Sequence, residues 1–178
     1  RWPLLVIGLL LLGLVGFVLY AVAVPRQAWS QMKHVAYVPD GNRPADQPGT
    51  LLLLTGSDSR EGLTPEQKQK YGTGVEGANA ADKIMLLYMP PSGRPALISI
   101  PRDSYVQIPG RKMNKINAAF TLGGAALTVR TVEKATGVKI DHYVGVSLGG
   151  FIGMVDAVDG VDVCLSQPVK DDPKYTSL

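Results

Sequence analysis

The chain opens with an apolar stretch in which residues 2–24 carry no charged side chain. In helical geometry that stretch covers roughly 34 Å, enough for a hydrocarbon core about 30 Å thick. Trp2 and Tyr20 stand near its ends, where amphipathic aromatic rings favour the membrane interface. The pattern predicts a retained membrane helix. The small-residue run Ala21-Val22-Ala23 leaves a cleaved export signal as the alternative. Residues 25–49 then mix polar side chains with Pro25, Pro39, Pro44 and Pro48. Within them, residues 27–38 suit a short amphipathic helix and residues 40–49 a flexible linker.

Beyond the linker the apolar runs shorten and begin to alternate with helical periodicity. The unbroken run 50–54 predicts a strand covered on both faces. A polar turn over 55–60 and a long charged, glycine-rich loop to Ala81 follow. Residues 84–89 and 96–100 read as two further strands, joined by a proline-glycine hairpin and closed by Pro101. Residues 115–122 predict a short helix broken at Gly123-Gly124, with Asn114 as its cap. A better helix spans 125–136, with Gly137 as its stop. A strand over 142–146, a helix over 148–158 capped by Ser147, a turn at Gly160 and a strand over 161–165 complete the reading. Strands and helices alternate, so the fold class is α/β: a central mixed sheet with helices on both faces.

Composition narrows this picture. Of 178 residues, about 130 lie beyond the apolar stretch and linker, sufficient for one domain with a core. The net charge is +3, yet no window is basic enough for a nucleic-acid arm. A single cysteine, Cys164, excludes an internal disulfide, and its apolar neighbours Val163 and Leu165 predict a buried packing role. The chain opens on Arg1, and residues 174–178 carry no stop signal, so a longer natural protein is expected at both ends.

Three polar clusters carry candidate chemistry: Gly56-Ser57-Asp58-Ser59-Arg60, Ala81-Asp82-Lys83 and Pro101-Arg102-Asp103-Ser104. If strands one and three run parallel with their hairpin partner between them, all three clusters fall at one end of the sheet. That is where α/β folds place ligands. Carboxylates beside arginines suit a metal-bound pyrophosphate. Mg²⁺ takes one or two carboxylates plus phosphate oxygens, and the guanidinium fork matches phosphate. The competing reading makes Asp58 and Asp103 turn formers bonded to their own backbone, with Arg60 and Arg102 solvated. Lys115 and Asn117 either begin a solvated helix or point into the same site. His142 reads as structural.

The ordered set Leu53-Leu54-Thr55-Gly56-Ser57-Asp58-Ser59-Arg60, Ala81-Asp82-Lys83, Ser99-Ile100-Pro101-Arg102-Asp103-Ser104, Lys115-Ile116-Asn117 and Gly160-Val161-Asp162-Val163 resembles the LytR-CpsA-Psr family. The resemblance implies an αβα sandwich behind an N-terminal transmembrane helix. Its parts would be an anchor at 1–25, an extracytoplasmic linker at 26–49 and a catalytic domain over 50–178. It also implies a single-pass cell-membrane protein that moves a glycopolymer from a polyprenyl-pyrophosphate carrier to a peptidoglycan acceptor, with an apolar tunnel for the lipid. By motif position, Asp58 and Asp82 would hold Mg²⁺, Arg60 and Arg102 would contact phosphate oxygens, and Asp103 would orient Arg102 or the acceptor hydroxyl. Lys115 and Asn117 would bind substrate at the mouth. The family's later arginine-rich helix has no counterpart before Leu178. A polyprenyl-phosphate-binding or regulatory membrane protein without turnover remains the alternative, including the transcriptional attenuator for which the family was once named.

Overall fold

The computed structural model describes residues 2–57, 59, 63–70 and 81–167. The apolar N-terminal stretch forms α1 (Trp2–Gln31), a helix of 30 residues with Pro25 inside it. The helix therefore runs past the expected end at residue 25 and absorbs the start of the expected linker. Pro25 costs the helix one backbone donor, which continuous apolar helix formers on its N-terminal side outweigh. Residues 5–30 have the length and hydropathy of a membrane span.

The chain divides into two compact units, of which the second begins at Ala36. Its sheet has the order β3-β2-β1-β6. Here β1 is Thr50–Ser57, β2 Ala81–Met89, β3 Ala96–Ile100 and β6 His142–Val146. The three consecutive strands are antiparallel neighbours, and β6 lies parallel to β1. The sheet is therefore mixed, as expected. Between β1 and β2 lies a short helix, α2 (Pro65–Lys70). Thr64 and Gln67 bond reciprocally across its start, side chain to backbone, at 2.9 and 3.2 Å. That capping box, with proline at the first helical position, is why a helix forms inside a loop-like sequence.

Alternation along β1 and β2 decides where the core sits. Leu51, Leu53, Ile84 and Leu86 face one side and are buried with Ile116, Val129, Val132 and Ile140. Val129 and Val132 belong to α3 (Ala118–Thr136), whose backbone leaves helical geometry at Gly123 and Gly124. That break falls where the sequence placed it. Gly137 closes α3 in the left-handed conformation, φ 76°. The opposite sheet face carries Leu52, Leu54, Met85 and Leu87, half-buried, with Leu97 and Val144 exposed at 60% and 40%.

The segment expected as a flexible linker, residues 40–49, is instead tied to the domain, together with Tyr37 before it. Tyr37 donates its hydroxyl to the Asp141 carbonyl at 2.9 Å and stacks on Tyr143, with ring centroids 6.3 Å apart. Arg43 grips the Glu133 carboxylate and the Ile140 carbonyl. Gln47 both donates to and accepts from the Lys139 backbone, at 2.8 and 3.0 Å. Proline-rich composition predicts mobility here, yet these polar side chains strap the segment to the domain.

Three other expectations need correction. Met113–Lys115 is a short strand, β5, paired with β4 (Tyr105–Gln107), not the start of a helix. The helix begins at Ala118 with Asn117 as its cap residue, and Asn114 instead accepts a hydrogen bond from the Lys115 backbone. Residues 161–165 do not form a strand. Val161, Val163 and Leu165 are exposed, and no strand among the described residues pairs with them. Alternation without a partner edge does not make a strand. For the same reason Cys164 is exposed, not buried. The final helix, α4 (Leu148–Ala157), does form, with Ser147 accepting from the Gly150 backbone at 3.2 Å.

Candidate active site

Strand register builds the site. Ile84 faces Ile100 across β2 and β3. Continuing that antiparallel ladder outward by two residues sets Asp82 opposite Arg102. Their side chains meet there, Arg102 Nη1 to Asp82 Oδ1, at 2.5 Å. Asp82 lies inside β2, one residue from its start, and not in a turn before it.

A second ladder brings in the other half. In the β4–β5 hairpin Tyr105 faces Lys115. Extending that register folds residues 116 and 117 back onto 104 and 102. The Ile116 amide donates to the Ser104 carbonyl at 2.8 Å, and the Asn117 amide to the Arg102 carbonyl at 3.3 Å. Ile116 is fully buried and anchors the return. Lys115 Nζ consequently reaches Asp103 Oδ1 at 2.6 Å, and Arg102 Nε lies 3.8 Å from Asp103 Oδ2. Sequence reasoning placed Lys115 and Asn117 at the site but missed the hairpin that carries them there. The alternation Tyr105-Val106-Gln107 was its only local signal.

The result is a continuous line of alternating charge: Asp82, Arg102, Asp103, Lys115. All four side chains are at least partly open to solvent, so the line costs little desolvation and contributes little stability. The hydrogen bond and charge of Lys115, with Arg102 behind it, hold the Asp103 carboxyl below the usual carboxylate range. Asp103 therefore stays ionised at any physiological pH. Asn117 makes no side-chain bond to the helix it caps, which leaves its amide available at the same edge.

Of the seven residues singled out, the structure gathers Asp82, Arg102, Asp103, Lys115 and Asn117. Asp58 and Arg60 lie outside the described residues. Their neighbours Gly56 and Ser57 end β1, with Gly56 facing Lys83 and Ser57 facing Ala81, at a register shift. Among the described residues no group of three potential ligands could hold a metal. Of the two carboxylates expected to hold Mg²⁺, only Asp82 lies among the described residues. Asp82 spends only Oδ1 on Arg102, and Mg²⁺ needs few protein carboxylates when phosphate oxygens complete its shell.

On the core face of the sheet, Thr55 and Tyr143 share a hydrogen bond of 2.6 Å. Burial pushes the Tyr143 phenol up and the bond to Thr55 pulls it back in part, so Tyr143 stays neutral and structural.

The sequence profile of the LytR_cpsA_psr family matches residues 23–177. The chain belongs to that family. Among relatives, it is 49% identical over 158 residues to the "Probable cell wall biosynthesis protein LcpB" of Corynebacterium glutamicum, covering 88% of this chain and 38% of that protein. It is 36% identical over 130 residues to the polyisoprenyl-teichoic acid–peptidoglycan teichoic acid transferase TagU of Bacillus cereus, covering 72% of this chain and 38% of that one. The fold is similar to that of TagT bound to LIIa-WTA, with a TM-score of 0.57 at 25% identity, over 75% of this chain and 49% of that one. TagT with bound octaprenyl pyrophosphate lipid aligns with a TM-score of 0.56 at 25% identity, over 75% of this chain and 51% of that one. The chain thus spans about two-fifths of the relatives' length and half of the solved structures'.

Proposed function

We propose that the protein is a membrane-anchored phosphotransferase that moves a glycopolymer from a polyprenyl-pyrophosphate carrier to peptidoglycan on the outer side of the cell membrane. The observation that carries this reading is the Asp82–Arg102–Asp103–Lys115 line, at one end of the sheet in a LytR_cpsA_psr chain. The relative named a teichoic acid transferase and the neighbour with a bound prenyl pyrophosphate support the substrate class.

In this reading Arg102 turns the free edge of its guanidinium to the pyrophosphate, and Lys115 adds a second positive charge. Phosphoryl transfer depends chiefly on such positioning and neutralisation. The acceptor hydroxyl oxygen bonds to the phosphorus bearing the glycan. The bond from that phosphorus to the bridging oxygen breaks, and polyprenyl phosphate departs. Asp103, held ionised by Lys115, is the group placed to take the hydroxyl proton. Asp82 orients Arg102, and Asn117 offers an amide donor at the mouth. Asp82 and Asp58 would hold Mg²⁺, which when bound offsets charge on the diphosphate. Arg60 is assigned to phosphate by its place in the motif. The apolar reverse face of the sheet, with Leu97 and Val144 open, supports a lipid-facing wall.

The test is turnover by the full-length protein in detergent, with Mg²⁺, a short polyprenyl-pyrophosphate glycan and peptidoglycan fragments. Release of polyprenyl phosphate with a glycan-bearing acceptor is expected. Arg102→Ala should reduce it by roughly 100-fold or more, as loss of a transition-state charge contact does. Full activity in Arg102→Ala would refute the reading. Binding without turnover in the wild type would favour a lipid-binding module instead.

A further inference from the structure

A recess of about 500 Å³ lies apart from the charged line, between the strap and α3. Asn42, Pro44, Pro109, Arg130, Glu133, Lys134 and Gly137 line it. Its charge is unbalanced. Glu133, the one carboxylate in that lining, is bound by Arg43 at 2.5 Å and by the Ile140 amide at 2.9 Å. Arg130 and Lys134 stand four residues apart on α3, where side chains are neighbours and like charges repel. Among the described residues neither has an ion pair, whereas Lys139 nearby is matched by Asp46. The turn that supplies Pro109 also carries Arg111 and Lys112, both exposed and without a carboxylate partner among the described residues.

The geometry points to a second anion site here, one that takes the phosphate of a small sugar phosphate. Arg130 and Lys134 supply the charge for a phosphate. Asn42 supplies an amide, and the proline rings supply flat apolar walls of the kind the carbon face of a sugar can cover. The volume lies within the range of small-molecule sites. A recess half open to solvent still suits a small solute better than the plane of a bilayer. The strap wall is tied to α3, because Arg43, between Asn42 and Pro44, bonds the Glu133 carboxylate.

The experiment uses the full-length protein carrying Arg102→Ala, in zwitterionic detergent, so that the charged line does not report. Glucose 6-phosphate is titrated by calorimetry, with glucose as control. Adding Arg130→Ala and Lys134→Ala should weaken glucose 6-phosphate binding by about tenfold or more, as loss of charged hydrogen bonds does. Lys134→Arg should retain binding. Both altered side chains are exposed and, among the described residues, outside any ion pair, so the urea midpoint should not move and folding is controlled for. Unchanged glucose 6-phosphate binding in the triple variant overturns the assignment. So does equal binding of glucose, or a loss confined to adsorption on phosphatidylglycerol vesicles.

Discussion

Removing the Glu133 carboxylate should take away a large part of the domain's stability. The side chain is 3% exposed, and it accepts from Arg43 Nε at 3.0 Å, Arg43 Nη2 at 2.5 Å and the Ile140 amide at 2.9 Å. Glu133→Ala leaves the Ile140 donor without its partner and Arg43 without its anion. Breaking a buried pair from one side costs about 3–5 kcal/mol. That is a large part of the roughly 5–15 kcal/mol that holds a domain folded. Arg43→Ala should cost a similar amount, because it leaves the buried Glu133 carboxylate with only the Ile140 amide as partner. The double variant should cost less than the sum of the two, since both changes remove one interaction. The assay is urea unfolding of the protein in nonionic detergent, followed by near-ultraviolet circular dichroism from the stacked Tyr37 and Tyr143. A Glu133→Ala protein within about 0.5 kcal/mol of wild type would refute this account of the strap.

Other outcomes follow from single contacts. Asp103 should titrate below the ordinary aspartate value of 3.8, as read from its carboxyl carbon shift, and Lys115→Ala should move the midpoint back up. The sign is fixed: a depressed folded pKa gives stability that is present above the unfolded value and lost as pH falls below about 4. Gly49 has φ +88°, and an added Cβ would lie 2.5 Å from the Met89 carbonyl oxygen. Gly49→Ala should therefore lower the urea midpoint by an equivalent of about 2 kcal/mol or more. Gly137 also has positive φ, 76°, but a Cβ there meets nothing within 4 Å, so Gly137→Ala should cost only about 1 kcal/mol.

Much of the sheet was legible because each strand is bounded by its own punctuation. Pro101 ends β3, Gly137 ends α3 and Ser147 begins α4, each where the sequence placed it. The nearness of Asp82 to Arg102 was legible too, once strands one and three were read as running in the same direction, but their ion pair was not. What escaped depended on partners distant in the chain. Arg43 meets Glu133 across 90 residues, and neither has a local sequence feature that points to the other. The β4–β5 hairpin is three residues a side, too short for alternation to outweigh the helical look of Lys115-Ile116-Asn117-Ala118. Residues 161–165 failed the other way: their alternation is clear, but a strand needs an edge to join.

The central claim is that Arg102, steadied by Asp82, receives the pyrophosphate of a lipid carrier. Its most direct test is the phosphorus-31 spectrum of a short polyprenyl pyrophosphate with the detergent-solubilised protein. Shifted and broadened resonances are predicted for the wild type, free-ligand resonances for Arg102→Ala, and an intermediate response for Asp82→Asn. Spectra of the wild type and Arg102→Ala that coincide would contradict it.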